Sequence, residues 1–499
     1  MSKLSRREFL STAVGWASAS ACASLLGVAG PARGETQGRQ EKRMNVLFIG
    51  VDDLRPQLGC YGQKQILSPS LDRLAGEGLL FEHAYCQQAI CMATRASLLS
   101  GYRPDKGRIY DCGPLYVHVP GALSLNKHFQ AHGYETVTLG KIYHHESDET
   151  VGWSQPAFHP TGKWKGRGYL SADGIAIADE YDRRNAKGQR RGMGPAFEGP
   201  DIADNEYEDG MLADRAAEEL RRLKDKPFFL AVGFKKPHLP FNAPKRYWDL
   251  YEETRIDLAD NPFAPKGMPA LAGTDWGELR GYHGMPRKGP MPADLARKLI
   301  HGYYACVSYV DAQIGRVLAE LSRLGLANNT VVIVWGDHGW KLGEHGMWCK
   351  HTNFEIDTHV PMILRAPGKK AVGKRTQART EFVDIYPTLC DLCGLPLPAH
   401  LEGTSTVPLL DNPGRLWKSA AFSQYPRGKV MGYSMRTPRY RYTEWRHLEN
   451  GKVAARELYD HGADDAENAN LVDVPGNADL VKDLAAKLKQ GWRGAVPAH

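Results

Sequence analysis

Five apolar, β-rich runs recur along the 499-residue chain, and four of them hand over within a few residues to ionisable side chains. The runs are "NVLFIGV" (45–51), "TVTLG" (136–140), "FFLAVGF" (228–234), "TVVIVWG" (330–336) and "VPMILRAP" (360–367). Their length and composition read as buried strands. Helical patterns lie between them. "SPSLDRLAGEG" places Ser68 at a cap and Pro69 at the first helical position. From Tyr303, the residues Val307, Val310, Ile314, Val317, Leu318 and Leu321 share one stripe, and Gly325 closes the helix. This alternation predicts an α/β fold, a sheet sandwiched by helices. Residues 153–200 and 255–295, rich in Gly, Pro and charge, read as long surface excursions. Past "SQYPRG" the pattern changes: "GYSMRTPRYRYTEW" alternates and turns at Thr437-Pro438, and a last helix starts at Asp479. The expected organisation is a catalytic domain over 44–427 and a smaller α+β domain with an antiparallel hairpin over 428–499.

The strand ends carry the chemistry. Asp52 and Asp53 follow the first run, Lys141 and His144 the second, Lys236 and His238 the third, Asp337 and His338 the fourth. Open α/β sheets bind ligands outside the carboxyl ends of their strands. Each piece alone is commonplace, since Asp-Asp often caps a helix and Lys-Pro-His can be a rigid turn. Four together predict a site. Asp52, Asp53 and Asp337 suit a hard divalent cation, Ca²⁺ before Mg²⁺, with His338 as a further ligand; zinc would want more His or Cys. Arg95, Lys141, His144, His238 and Lys350 around it suggest an anionic substrate. One metal with fixed positive groups suits a tetrahedral oxyanion, sulfate or phosphate. Cys91 stands just before "ATRASLLSG", a short helix ended by Gly101, where backbone N–H groups face an anion.

The totals restrict partners. A formal charge of +7 includes +3 from residues 1–34, where Lys3, Arg6, Arg7 and Arg33 oppose Glu8. The rest is a mild surplus without a basic run, so nucleic acid is not expected as a partner. "SRREFL" followed by a soft Ala/Ser/Leu-rich stretch to Ala29 and small residues near Gly34 reads as a twin-arginine signal peptide over 1–34, too rich in small residues for a membrane span. The expected destination is periplasmic or extracellular, through the twin-arginine (Tat) export machinery. Nine cysteines are few for a disulfide scaffold, and Cys390 and Cys393 in "PTLCDLCGLP" read as small hydrophobes on a buried helix.

"CMATRASLLSG" resembles the signature of the formylglycine-dependent sulfatase family. "NVLFIGVDDLRPQLGCYG", "GKIYHH", "FKKPHLPF", "GDHGWKLGEHGMWCKHTNFE", "THVPMILRAPG" and the C-terminal "SQYPRG…MGYSMRTPRYRYTEW…ELYD" resemble, in order, its iduronate-2-sulfatase-like branch, over roughly residues 44–470. The resemblance implies an alkaline-phosphatase/sulfatase-like mixed sheet and oxidation of Cys91 to formylglycine (3-oxoalanine). It implies Ca²⁺ held by Asp52, Asp53, Asp337 and His338 with the modified Cys91 also in the sphere. Arg95 would hold the formylglycine hydrate, Lys141 and Lys350 would grip sulfate oxygens, His144 would assist the aldehyde chemistry, and His238 would protonate the leaving oxygen. Ala93 and Thr94 depart from the commoner Pro and Ser, which leaves open whether a formylglycine-generating enzyme or a radical sulfatase-maturating enzyme acts here.

The expected activity is hydrolysis of O-sulfate esters of sugars, with 2-O-sulfated uronic acid or a related polysaccharide unit as the substrate in view. A phosphate or phosphonate ester hydrolase of the same superfamily is one alternative. A non-catalytic binder of sulfated glycan, with Cys91 unmodified, is another. Trp153, Trp164, Trp276, Trp340 and Trp348 could stack on sugar rings, although packing is the commoner fate. Arg439 and Arg441 could meet a substrate carboxylate or simply face water.

Overall fold

The computed structural model describes residues 43–110, 113–187 and 193–497, which belong to one compact unit. The signal-peptide expectation for residues 1–34 lies outside the described residues. The main sheet uses seven strands: β1 Asn45–Val51, β2 Leu79–Tyr85, β3 Glu135–Gly140, β4 Phe228–Phe234, β5 Thr330–Gly336, β6 His359–Arg365 and β7 Lys374–Glu381. Their order is β7-β2-β6-β5-β1-β4-β3. β6 runs antiparallel to both neighbours and the remaining pairs are parallel, so the sheet is mixed.

Strand periodicity builds the two faces. In β1, Leu47, Ile49 and Val51 enter one core and Val46 and Phe48 the other. β4 divides likewise, with Leu230 and Val232 against Phe229 and Ala231. A side-chain period of two makes this division automatic when both faces are covered. The first face is covered by α5 (Glu208–Leu223) and α6 (Ala293–Arg323), and α1 (Pro69–Glu77) packs on α6. The second is covered by α2 (Cys91–Ser100), α3 (Leu125–Ala131) and α7 (Ile385–Leu392). α4 spans Ala172–Ala186 within the first predicted excursion.

Several expectations change in detail. β2 and β7 are not among the predicted strands: β2 is interrupted by the adjacent Glu82 and His83, and β7 is polar at every position but Ala378, which an edge strand tolerates. α6 starts ten residues before the predicted Tyr303. Ser68 does stand before α1, but its hydroxyl donates to Asp72 and accepts from Gly59, while Asp311 on α6 receives the amides of Ser70 and Leu71. The expected hairpin is part of a four-stranded antiparallel sheet, β8 Ala421–Arg427, β9 Val430–Arg436, β10 Tyr440–His447 and β11 Val453–Asp460. α8 (Ala478–Gln490) packs Leu484 and Leu488 against Met435, Tyr442 and Leu458 of this sheet. β8 also touches the segment before Cys91: Gln424 N donates to Gln87 O at 2.8 Å and Ser423 Oγ to Cys86 O at 2.6 Å.

Candidate active site

Parallel pairing places the strand ends together. Val51 is level with Phe234 of β4 and Gly336 of β5, and Gly140 of β3 is level with Gly233 of β4. Asp52–Asp53, Lys141, the 235–240 turn and Asp337–His338 therefore leave the sheet at one edge. Gly233 is required there: a Cβ would stand 2.1 Å from the Lys141 carbonyl oxygen, where the chain instead closes a hydrogen bond from Lys141 N. Asp53 adopts the left-handed region (φ 59°), which aspartate tolerates better than most residues. Its N–H donates to Asp337 Oδ1 at 2.9 Å, and its carbonyl accepts from Tyr303 Oη at 2.9 Å.

Cys91 opens α2 at this edge. Its Sγ lies 3.2 Å from His338 Nε2 and 3.9 Å from Asp53 Oδ1. His338 Nδ1 faces Gly339 O at 2.9 Å, which assigns the proton to Nδ1 and leaves a lone pair on Nε2, directed inward. Burial and the nearby Asp52 push the Cys91 thiol well above its ordinary range. An unmodified Cys91 is thus a neutral thiol, not the thiolate that cysteine nucleophiles need.

Arg95, one helical turn on, is fully buried, and each of its three side-chain nitrogens donates. Nε donates to Asp337 Oδ2 at 3.0 Å, Nη2 to Asp52 Oδ1 at 3.1 Å, and Nη1 to the carbonyls of Lys141 and Ile142. It crosses Trp335 at 5.3 Å from the ring centroid. Its donors fix the two carboxylates. Lys141 Nζ meets Asp52 Oδ2 at 2.5 Å, and Lys350 Nζ meets both oxygens of Asp53 at 2.8 and 3.1 Å. Burial opposes the charge on both lysines, yet the facing carboxylates hold each pKa above its ordinary value. Asp52 is held well below the carboxylate range by Lys141, His238 and Arg95 against the cost of burial; for Asp53 burial wins and pushes it up.

His238 Nδ1 faces Leu239 O at 2.7 Å, and Nε2 points to Asp53 Oδ2 at 3.8 Å and Glu278 Oε1 at 3.5 Å. Burial, then Lys350, lowers its pKa, while Asp52 and Glu278 oppose that shift. Lys236 serves the turn, donating to the carbonyls of His238 and Pro240. His144 is half-buried at the margin, its pKa lowered to about 3 by burial and by Lys141, and its Nδ1 has no hydrogen-bond partner.

Glu278 is the residue that sequence reasoning missed. It sits on the single turn Gly277–Arg280, reaches Lys350 at 3.4 Å as well as His238, and is held at about 2 against burial, chiefly by Lys350. Nothing in the Gly- and Pro-rich stretch around it marks the position. The tryptophans largely pack: Trp276, Trp340 and Trp348 are buried, Trp153 lies against the second core, and Trp164 is half-buried. Arg441 neither meets solvent nor stands free for a substrate, because Glu355 and Glu467 engage it. Arg439 is exposed and pairs with Asp460.

The donor set fits a hard cation. Ligand atoms of Asp52, Asp53, Cys91 and His238 lie within 4.8 Å of one another, as do those of Cys91, Asp337 and His338. Three buried carboxylates, with the inward imidazoles of His338 and His238 beside them, suit a hard divalent cation.

Comparison with known proteins identifies the family. The sulfatase family model matches residues 44–395, and the model for the C-terminal region of N-sulphoglucosamine sulphohydrolase matches 343–493. The iduronate 2-sulfatases of Mus musculus and Homo sapiens are each 34% identical, covering 88% of this chain and 93% of theirs. Among solved structures, a protein in complex with its substrate D-glucosamine-2-N,6-O-disulfate superimposes with a TM-score of 0.71 at 23% identity, covering 91% of this chain and 98% of that one. A phosphonate monoester hydrolase from Silicibacter pomeroyi gives 0.70 at 21%, covering 90% and 95%, and a 2-O GAG sulfatase 0.67 at 23%, covering 90% and 92%. The fold and its strand-end site define a hydrolase of sulfuric esters. The chain belongs to the sulfatase family.

Proposed function

We propose that the protein is an exported sulfatase that removes O-sulfate from a sugar, with Cys91 converted to formylglycine and Ca²⁺ held by Asp52, Asp53, Asp337 and His338 beside it. The observation that carries this reading is the seat of Cys91: first residue of a helix, against the free nitrogen of His338, among buried carboxylates and lysines. Calcium there would raise the acidity of a hydroxyl at position 91 and neutralise charge on sulfate oxygens. A formylglycine hydrate would supply two hydroxyls on one carbon, one to attack sulfur and one to expel sulfate by restoring the carbonyl.

The chain's own residues do the rest. Lys141 and Lys350 present ammonium groups held charged by Asp52 and Asp53, placed to grip a tetrahedral anion. Arg95 locks Asp52 and Asp337, so the carboxylates stay in position when the anion changes. His238 directs Nε2 into the site while Nδ1 is engaged, the geometry needed to hand a proton to a leaving oxygen. His144, with a bare Nδ1 beside Lys141, is the remaining base at the margin.

The iduronate 2-sulfatase relatives and the 2-O GAG sulfatase neighbour favour a 2-O-sulfated uronic acid unit as substrate. The phosphonate monoester hydrolases share the fold and support the second reading, but the sulfatase family match favours sulfate. A catalytic region over 44–427 and a smaller C-terminal region over 428–499, joined in one sheet where β8 pairs with β9, a twin-arginine leader over 1–34 and periplasmic or extracellular location complete the proposal; among the described residues no helix is long and apolar enough to cross a membrane. The test is sulfate release from a panel of defined sulfated oligosaccharides, run beside phosphate and phosphonate esters. A mass spectrum of the Cys91 peptide accompanies it. An intact thiol in the active, exported protein would overturn the mechanism.

A further inference from the structure

Lys350 stands between two residues in the left-handed region, Cys349 at φ 65° and His351 at φ 87°. Neither is glycine, so the surroundings must hold each conformation against its steric cost, a feature that gathers at functional sites. The segment they bracket delivers the buried Lys350 ammonium to Asp53 at 2.8 Å and to Glu278 at 3.4 Å. Glu278 comes from a stretch with only single turns, Ala270–Ala272 and Gly277–Arg280, and Trp276 between them is also left-handed at φ 44°. Two irregular segments thus meet at Lys350, and no long helix or strand fixes either one.

One side chain ties them together. Arg427, the last residue of β8 and part of "SQYPRG", sends Nε to Leu271 O at 3.1 Å and Nη2 to Gly273 O at 2.9 Å and to His351 O. Its Nη1 donates to Pro426 O at 3.2 Å. The guanidinium lies over the Tyr425 ring, 4.5 Å from the centroid, and that ring stands 5.8 Å from the His351 imidazole. Among the described residues Arg427 has no carboxylate partner; its donors are spent on backbone carbonyls. A planar fork holds several acceptors in fixed directions, which an ammonium on a flexible stem does not. The contacts close a ring: Arg427 to His351, Lys350 to Glu278, and the 271–278 stretch back to Arg427.

We propose that Arg427 is a positioning residue of the sulfatase site. From the C-terminal sheet it holds the Lys350 segment and the Glu278 stretch against each other, and so sets the grip on sulfate. This assignment rests on the reading of Lys350 as a sulfate-binding group given above.

The test compares parent, Arg427→Lys and Arg427→Met forms of the full chain. Calorimetric titration with inorganic sulfate gives Kd, and a small aryl sulfate ester gives KM and kcat. Loss of folded protein lowers the rate and the number of sites but leaves Kd and KM alone, so a merely structural role would not move them. Both variants are expected to weaken sulfate binding and raise KM about tenfold, since small displacements of a binding group are costly. Lysine does not rescue, because it keeps the charge over Tyr425 and loses the fork. Hydrogen exchange in 271–279 and 349–351 is expected to quicken in both variants. Parent values of Kd and KM in either variant overturn the proposal, and so does unchanged exchange in both segments. A parent chain that binds sulfate, with variants that bind it more weakly, yet releases none from any ester overturns the enzymatic reading and leaves the positioning role standing.

Discussion

Glu278 Oε1 lies 3.5 Å from His238 Nε2, the nitrogen that faces the reacting centre. A carboxylate at that distance favours the protonated imidazole, opposing burial and Lys350, which disfavour it. With Glu278→Gln the opposition is lost and the His238 pKa falls further. If His238 gives its proton to the leaving oxygen, activity is lost as pH rises through that pKa, so the alkaline limb of kcat should move to lower pH, with kcat about tenfold down. A pH–rate profile that keeps its alkaline limb in place would assign Glu278 no part in proton delivery.

The proposed mechanism places its nucleophile at position 91. Cys91→Ala removes the nucleophile and is expected to cost about a thousandfold or more in kcat while the fold survives, since the residual rate comes from binding and electrostatics alone. The parent protein's Cys91 peptide should react with a hydrazide probe, as an aldehyde does. Circular dichroism of the alanine variant separates lost chemistry from lost structure.

Cation removal should be felt in both rate and stability. Chelation leaves Asp52, Asp53 and Asp337 buried together against Arg95, Lys141 and Lys350. Activity is expected to vanish and to return with Ca²⁺. Saturating Ca²⁺ at about a hundred times its Kd should add about 2.7 kcal/mol of stability, read as a rise in Tm. A Tm indifferent to calcium would exclude a site at these carboxylates.

Glu457 offers a pH test away from the site. Burial pushes its carboxyl up to about 7, while Trp445 Nε1 and Tyr459 Oη donate to it. Because the folded pKa exceeds the unfolded one, this contribution is fully present below the unfolded value near 4.5 and is lost as pH rises through 7. Glu457→Gln should therefore flatten the fall in stability between pH 5 and pH 8, a range set by the usual carboxylate value of about 4.3, and should be the more stable form at the upper end. Urea midpoints across that range supply the measurement. A steeper fall in the variant would contradict the assignment.

Much of this site was legible along the chain because its parts sit where strands stop. β1, β4 and β5 are runs of apolar residues buried on both faces, so their ends show as an abrupt change to Asp52, His238 and Asp337. Parallel register then delivers those ends to one edge without further instruction. β7 stayed hidden because an edge strand can keep Lys374, Arg375 and Gln377 in water, which erases the apolar signal.

The sequence by itself determined which ionisable groups stand at the strand ends and that a short helix follows at Cys91, since both follow from short-range periodicity and turn chemistry. Only the tertiary structure decided what those groups touch. It engaged every nitrogen of Arg95 with Asp52, Asp337 and two carbonyls, buried Arg441 between Glu355 and Glu467, and brought Glu278 to His238 from a loop with no motif. Such pairings join residues tens to hundreds of positions apart, and their strength comes from burial, a property the finished fold creates and no local stretch of chain contains.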